Sequence, residues 1–173
     1  MQAETRQTRI ADTILIEMDQ EAETTKRLFN VIPEDKLSWR PHAKARTLGE
    51  LAMHIARLPG GVAEIAQLDE KEAGNFPVDP EATSRAQILA VFAESLEKGK
   101  SIVAATDDAR AMAEWKLTKD GATLVAMPRM GFWRMVLLNH NYHHRGQLSA
   151  YLRELDVELP SIYGPSADTN PFA

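Results

Sequence analysis

Three of the five histidines in this 173-residue chain stand among apolar residues at helical spacing. In the stretch from Trp133 to Leu155, WRMVLLNHNYHHRGQLSAYLREL, steps of three and four collect Trp133, Leu137, His140, His144, Leu148, Tyr151 and Leu155. That is the inward stripe of an amphipathic helix, with histidines where a helical core would place leucines. Residues four apart share a helical face, their Cβ atoms about 6 Å apart, so both imidazoles can reach one point inside the protein. His54 has the same setting in the series Leu51, His54, Leu58, Val62 and Ile65. Neutral imidazole is a common nitrogen ligand for zinc, nickel and iron. A pair on one helix and a third histidine from a facing helix would build a mononuclear site. Three protein ligands leave a fourth position open, as in catalytic zinc sites, where the metal can activate water or hold a thiolate or oxyanion.

Each of these residues also has a plainer reading. One inward histidine is commonly a hydrogen-bonded core residue; the pair on one stripe and the third on another point to metal. His143 is the rival partner for His140 at a spacing of three, but it shares a face with Val136, Gln147 and Ala150 and belongs at the rim. His42, beside Pro41, reads as a solvated loop histidine. Arg145 is a candidate cofactor-binding group, placed to meet an anion at the site mouth, against the simpler reading of a solvated surface arginine. Gly146 inside a helix costs up to about 1 kcal/mol relative to alanine, which suggests close helix packing there. No histidine has a glutamate three residues before it, as a di-iron bundle requires, and H-E-x-x-H, a P-loop and G-x-G-x-x-G are all absent.

The elements that must position these side chains are helical. The first helix is expected from about Gln7 to Asn30, with Ile10, Ile14, Met18 and Leu28 on one face and Pro33 ending it. Pro33 and Pro41 make the next segment a connection, with Trp39 plugging the end of the core. The second helix opens on a capping box, Thr47 with Glu50, which explains Glu50 without a catalytic role. Pro59-Gly60-Gly61 predicts a kink, with helix resuming to about Leu68. Asp69 to Thr83, broken by Gly74, Pro77 and Pro80, reads as a long loop of the kind that often carries function. The third helix opens on a second capping box, Ser84 to Gln87, and carries Ile88, Val91, Phe92, Leu96 and Val103. Between Asp107 and Pro128, two short strands around Lys119-Asp120-Gly121 predict a hairpin. In the irregular tail, Ile162 and Tyr163 call for packing on the helices. Tyr163 or Asp168 could also reach over the cavity mouth. Four amphipathic helices around one core predict a single all-α domain, a four-helix bundle with a small hairpin between helices three and four.

Composition narrows the chemistry further. Hydrophobic residues make up 44% and charged residues 26%, as in a globular protein, and the net charge is -5 with no basic block for nucleic acid. The first ten residues lack the apolar run of a signal peptide, and no stretch of eighteen apolar residues occurs, so the expectation is a cytoplasmic protein without a membrane partner. There is no cysteine. Any metal must rest on His, Asp or Glu, and any thiol chemistry must come from a small-molecule thiol.

Three stretches carry a family resemblance: Leu48-Gly49-Glu50-Leu51-Ala52-Met53-His54, Asn139-His140 through His143-His144-Arg145-Gly146-Gln147-Leu148, and Pro160-Ser161-Ile162-Tyr163-Gly164-Pro165-Ser166-Ala167-Asp168. Together they resemble the DinB-like (DinB/YfiT) family of metal-dependent proteins, over nearly the whole chain. The resemblance implies an up-down-down-up four-helix bundle, often a homodimer, with divalent zinc or nickel on His54, His140 and His144. Some members of that family resemble thiol transferases that use bacillithiol, mycothiol or similar cofactors. The expected function is therefore a metal-dependent S-transferase joining a low-molecular-weight thiol to a small-molecule substrate. The alternatives are a metal-dependent hydrolase, and a non-catalytic, stress-related metal-binding or dimerising protein.

Overall fold

The computed structural model describes residues 8–74 and 79–172. Helix α1 (Ile10–Asn30) is followed by a 3-10 turn (Glu34–Lys36), helix α2 (Leu48–Gln67), strand β1 (Glu70–Glu72) and helix α3 (Arg85–Ala104). A short helix α4 (Asp108–Met112) leads to strands β2 (Glu114–Lys119) and β3 (Ala122–Pro128). The last helical run is continuous but has three parts: α5 (Arg129–Phe132), a π turn (Trp133–Asn139) and α6 (His140–Glu154). The fold is mostly helical, as expected, with a small sheet in which β1 joins the expected hairpin. No helix among the described residues is long and apolar enough to cross a membrane.

Local chemistry sets the helix ends. Helix α1 begins at Ile10, later than expected, and Gln7 lies outside the described residues. There the Asp12 carboxylate accepts from Arg9 N at 3.0 Å and Asp108 accepts from Ile10 N at 2.9 Å. Two of the four amides left unpaired at a helix start are thus satisfied. Helix α2 starts on the expected box, Thr47 N donating to Glu50 at 2.7 Å and Glu50 N to the Thr47 hydroxyl at 3.0 Å. The second box is only half formed: the Ser84 hydroxyl accepts from Gln87 N, but the Gln87 carbonyl turns to the amide and hydroxyl of Thr83.

Helix α2 runs unbroken through Pro59 to Gln67. The Ser95 hydroxyl of α3 substitutes for lost helical bonding, accepting from Gly60 N at 2.8 Å and donating to Arg57 O at 3.0 Å. The two helices touch backbone to backbone there: a Cβ built on Gly99 would lie 2.6 Å from Pro59 O. Gly146, by contrast, faces open space. The close packing inferred from it is absent, because its side of α6 is exposed.

The hairpin forms where expected, with β2 and β3 antiparallel and both Asp120 (φ 50°) and Gly121 (φ 79°) in the positive-φ conformations of a tight hairpin turn. The long loop after α2 hides strand β1, which pairs parallel with β2 from Glu70 opposite Lys116 to Glu72 opposite Thr118. Buried Arg129 fixes this sheet to α2. Its guanidinium donates to the carbonyls of Ala66, Leu68 and Arg110 and pairs with Asp69.

The core falls into two apolar clusters. One gathers Leu51, Ile55, Phe29, Phe92, Leu148 and Leu152; the other gathers Leu58, Val62, Met18, Trp115, Phe132 and Leu137. His54 lies between Leu51 and Leu58 along α2, and His140 and His144 lie between Leu137 and Leu148 along the last run. The histidines therefore form a polar layer at the junction of the two clusters. The tail packs on the helices as expected, but neither Tyr163 nor Asp168 lines the cavity beside this layer. Tyr163 donates to Glu21 at 2.8 Å, and Asp168 accepts from Leu159 N and pairs with Arg153.

Candidate metal centre

The three predicted histidines meet. His140 Nε2 lies 3.3 Å from His54 Nε2 and 3.1 Å from His144 Nε2. One nitrogen from each ring falls within 4.8 Å of the others, a group able to hold a metal ion. The rings stand nearly perpendicular to one another, at 81–89°. Placement comes from α2 for His54 and from the first two turns of α6 for the pair. The π turn just before His140 turns both Leu137 and Leu138 inward before the α register resumes. Such turns recur at functional sites.

Two of the outer ring nitrogens are also engaged. His54 Nδ1 is 2.6 Å from Asp79 Oδ2, and His144 Nδ1 is 2.7 Å from Gln147 Oε1. Both partners are acceptors, so each Nδ1 carries the proton and each Nε2 presents a bare lone pair toward the cluster. His140 can supply a proton to one of these lone pairs only. The remaining one faces another nitrogen unless a cation lies between them. Two zinc–nitrogen bonds of about 2.0–2.1 Å at the tetrahedral angle would hold their nitrogens about 3.3 Å apart. The donor set therefore fits a divalent ion in type, protonation and spacing.

Electrostatics favour the ligating form. Burial pushes His144 down to about 4, and burial, reinforced by the positive charge of Arg46, also lowers His140. Both are neutral at pH 7. Burial alone would raise Asp79, but the His54 hydrogen bond and the charges of Arg57 and Arg46 outweigh it and hold the carboxyl below its usual range. Arg57 Nη1 lies 3.3 Å from the other Asp79 oxygen and steadies it.

The remaining candidates fall outside the cluster. His143 is exposed, its ring 4.9 Å from that of His144, at the rim where its face predicted it. His42 is an exposed loop residue whose Nδ1 accepts from Lys44 N. Arg145 is not at the site mouth. It is 1% exposed and points to α1, pairing with Glu21 at 2.6 Å and donating to the Tyr163 hydroxyl. Sequence reasoning missed Asp79 and Gln147. Gln147 had a usable signal, three residues after His144 on the same helix; Asp79 had only its place in a loop marked as a candidate for function.

The histidine layer opens on a cavity of about 640 Å³, within the range of small-molecule sites. His54, His140, Asp79 and Arg46 line it together with an apolar wall from α2, the hairpin and the last helical run.

A helical protein whose polar layer of three histidines faces a ligand-sized cavity is what the fold and site define. The chain belongs to the DinB family, whose profile matches residues 1–170. It is 26% identical over 162 residues to YrdA, an uncharacterised protein of Bacillus subtilis strain 168, covering 91% of this chain and 90% of YrdA. Among solved structures it is similar to a DinB-like protein of Bacillus cereus ATCC 10987, with a TM-score of 0.68, 23% identity, and coverage of 87% of this chain and 95% of that one. The DinB-like protein YjoA of Bacillus subtilis gives a TM-score of 0.65 at 19% identity, over 87% of this chain and 96% of that one. At these identities the structural likeness speaks for the fold alone.

Proposed function

We propose that this protein is a divalent-metal-dependent enzyme that joins a low-molecular-weight thiol to a small electrophile, with zinc or nickel on His54, His140 and His144. The convergence of three Nε2 atoms, with His54 and His140 lining the cavity, carries the reading. A bound ion would supply Lewis-acid charge that lowers the pKa of a thiol sulfur. The chain's own residues do the rest. Asp79 and Gln147 hold the tautomer and orientation of His54 and His144, burial keeps His140 and His144 neutral, and the cavity admits the substrate beside His54 and His140. With no cysteine in the chain, the sulfur comes from the co-substrate. The same reading takes the long helices as an up-down-down-up bundle and the working unit as a cytoplasmic homodimer.

The test begins with metal content of untagged protein purified without chelator, beside His54→Ala and His144→Ala. One equivalent of zinc or nickel per chain is expected, absent from both folded variants. Thiol-adduct formation with model electrophiles is then compared before and after chelation. Equal rates with and without metal would refute the transferase reading, and no metal after reconstitution would refute the site.

A further inference from the structure

The cavity has two chemically distinct sides. Leu58, Val62 and Ile65 of α2, Leu117 and Val125 of the hairpin and Val136 of the π turn give it an apolar wall. Its charged lining is mostly neutralised in pairs: Arg57 with Asp79, and Lys98 with Glu64 at 2.5 Å. Arg46 is different. It lines the cavity yet has no hydrogen bond or ion pair among the described residues, and its charge acts on both His140 and Asp79. It is therefore a free cation on the histidine side. Glu94, on the α3 side, has no cationic partner among the described residues either, but it is not among the charges acting on His140 or Asp79.

We infer that the cavity takes an amphipathic monoanion: a small molecule whose carboxylate lies between Arg46 and the histidines and whose apolar body covers the wall of Val62, Leu117 and Val125. The inference rests on the three-histidine reading for part of the positive charge at that end and on Arg46 for the rest. A guanidinium without a partner offers up to five donors in a planar fork that suits a carboxylate. A dianion would need a second free cation, and Arg57 and Lys98 are already paired. The single negative charge at Glu94 opposes an anionic group on the α3 side. A neutral ligand would leave Arg46 without a partner, and a cationic one would be repelled by Arg46 and by any metal.

Octanoate, 1-octanol and octylammonium are probes of equal length and different charge. Each is titrated calorimetrically into chelator-treated and zinc-loaded protein, for wild type, Arg46→Gln and Val125→Asp. Arg46 has no hydrogen bond or ion pair to lose among the described residues and Val125 is partly exposed, so both variants should fold. Octanol leaves water more readily than ionised octanoate, so tighter binding of octanoate would report charge recognition. The expected result is that order in both protein forms, with octylammonium silent. Arg46→Gln should weaken octanoate by about threefold or more and leave octanol unchanged; Val125→Asp should weaken both. Octanol binding as tightly as octanoate, no effect of Arg46→Gln, or no binding by any probe would overturn the inference. Zinc retained alongside any of those results leaves the metal site standing. An Arg46-dependent preference in a chain that cannot hold zinc refutes the metal site and keeps the anion site.

Discussion

Two buried polar clusters share helix α6 and are built on consecutive residues, His144 and Arg145. Arg145 is satisfied from within the protein: Glu21 supplies a carboxylate at 2.6 Å, the Glu21 carbonyl and the Thr25 hydroxyl accept, and the Tyr142 and Tyr163 rings lie about 5 Å away. His144 and His54 instead turn their outer nitrogens to acceptors and leave two lone pairs facing His140, which can protonate only one of them. A cluster whose donors and acceptors balance holds helices together. One that balances only when a cation is added is poised to bind. Burial alone does not separate the two, since His144 is 6% and Arg145 1% exposed; the hydrogen-bond inventory does.

The widest separation comes from breaking each cluster in turn. His144→Ala should abolish metal binding while shifting the urea midpoint of the metal-free protein only slightly. Arg145→Met should do the reverse, destabilising the fold by roughly 1–3 kcal/mol because the partly buried Glu21 carboxylate and the backbone and hydroxyl acceptors lose their donor, while the folded fraction keeps its metal. Metal content and urea denaturation on the same two samples read both effects. If Arg145→Met removes metal from protein that is still folded, the division between the clusters is wrong.

Asp79→Asn comes next. It keeps the size of the side chain but removes the charge behind His54, and losing such a partner lowers metal affinity by about 10–100-fold. Competition with a chelating dye measures this. An unchanged affinity would reduce Asp79 to a surface partner of Arg57.

The pH dependence follows from the depressed histidines. His144 falls to about 4 in the folded state against 6.5 for the free side chain, so between those values the unfolded chain binds more protons. Stability of the metal-free protein should therefore rise from pH 4 to about 6.5 and level off above. His140, lowered in the same direction, adds to the slope. Asp79, depressed below the usual carboxylate range, contributes stability that is lost only under more acidic conditions. Urea midpoints across this range should show a shallower slope in His144→Gln; an equal slope would place the responsible protons elsewhere.

How much of this the sequence shows depends on whether a feature is repetitive or relational. The inward stripe through Trp133, His140 and Leu148, the Thr47 box and the Asp120-Gly121 turn are local patterns, and all are present in the structure. Strand β1 is three residues, Glu-Lys-Glu, held by parallel pairing to β2, with no apolar alternation to announce it. Ser95 supports Pro59 from another helix, so the proline reads as a break when α2 is considered alone. Arg145 was misplaced for a similar reason. Asn141, Arg145 and Leu152 are buried beside the histidine stripe, with Arg145 turned to α1, and a charged residue at such a position reads as surface until Glu21 and Tyr163 are found beside it. Asp79 lies 25 residues from His54 in sequence, and nothing short of the fold brings them together.

The smallest expected effect belongs to Gln147, the counterpart of Asp79 behind His144. Its carbonyl fixes the same tautomer without bringing a charge, and a neutral hydrogen bond is worth about half of a charge-assisted one. Gln147→Ala should lower metal affinity by only about three- to tenfold, since one such bond contributes roughly 0.5–1.5 kcal/mol. Gln147→Glu, by restoring an acceptor and adding a charge, should match or exceed the wild-type affinity. A lower affinity in Gln147→Glu than in Gln147→Ala would show that the acceptor is not what Gln147 provides, and with it would fall the argument that His144 presents a bare Nε2 to the cluster.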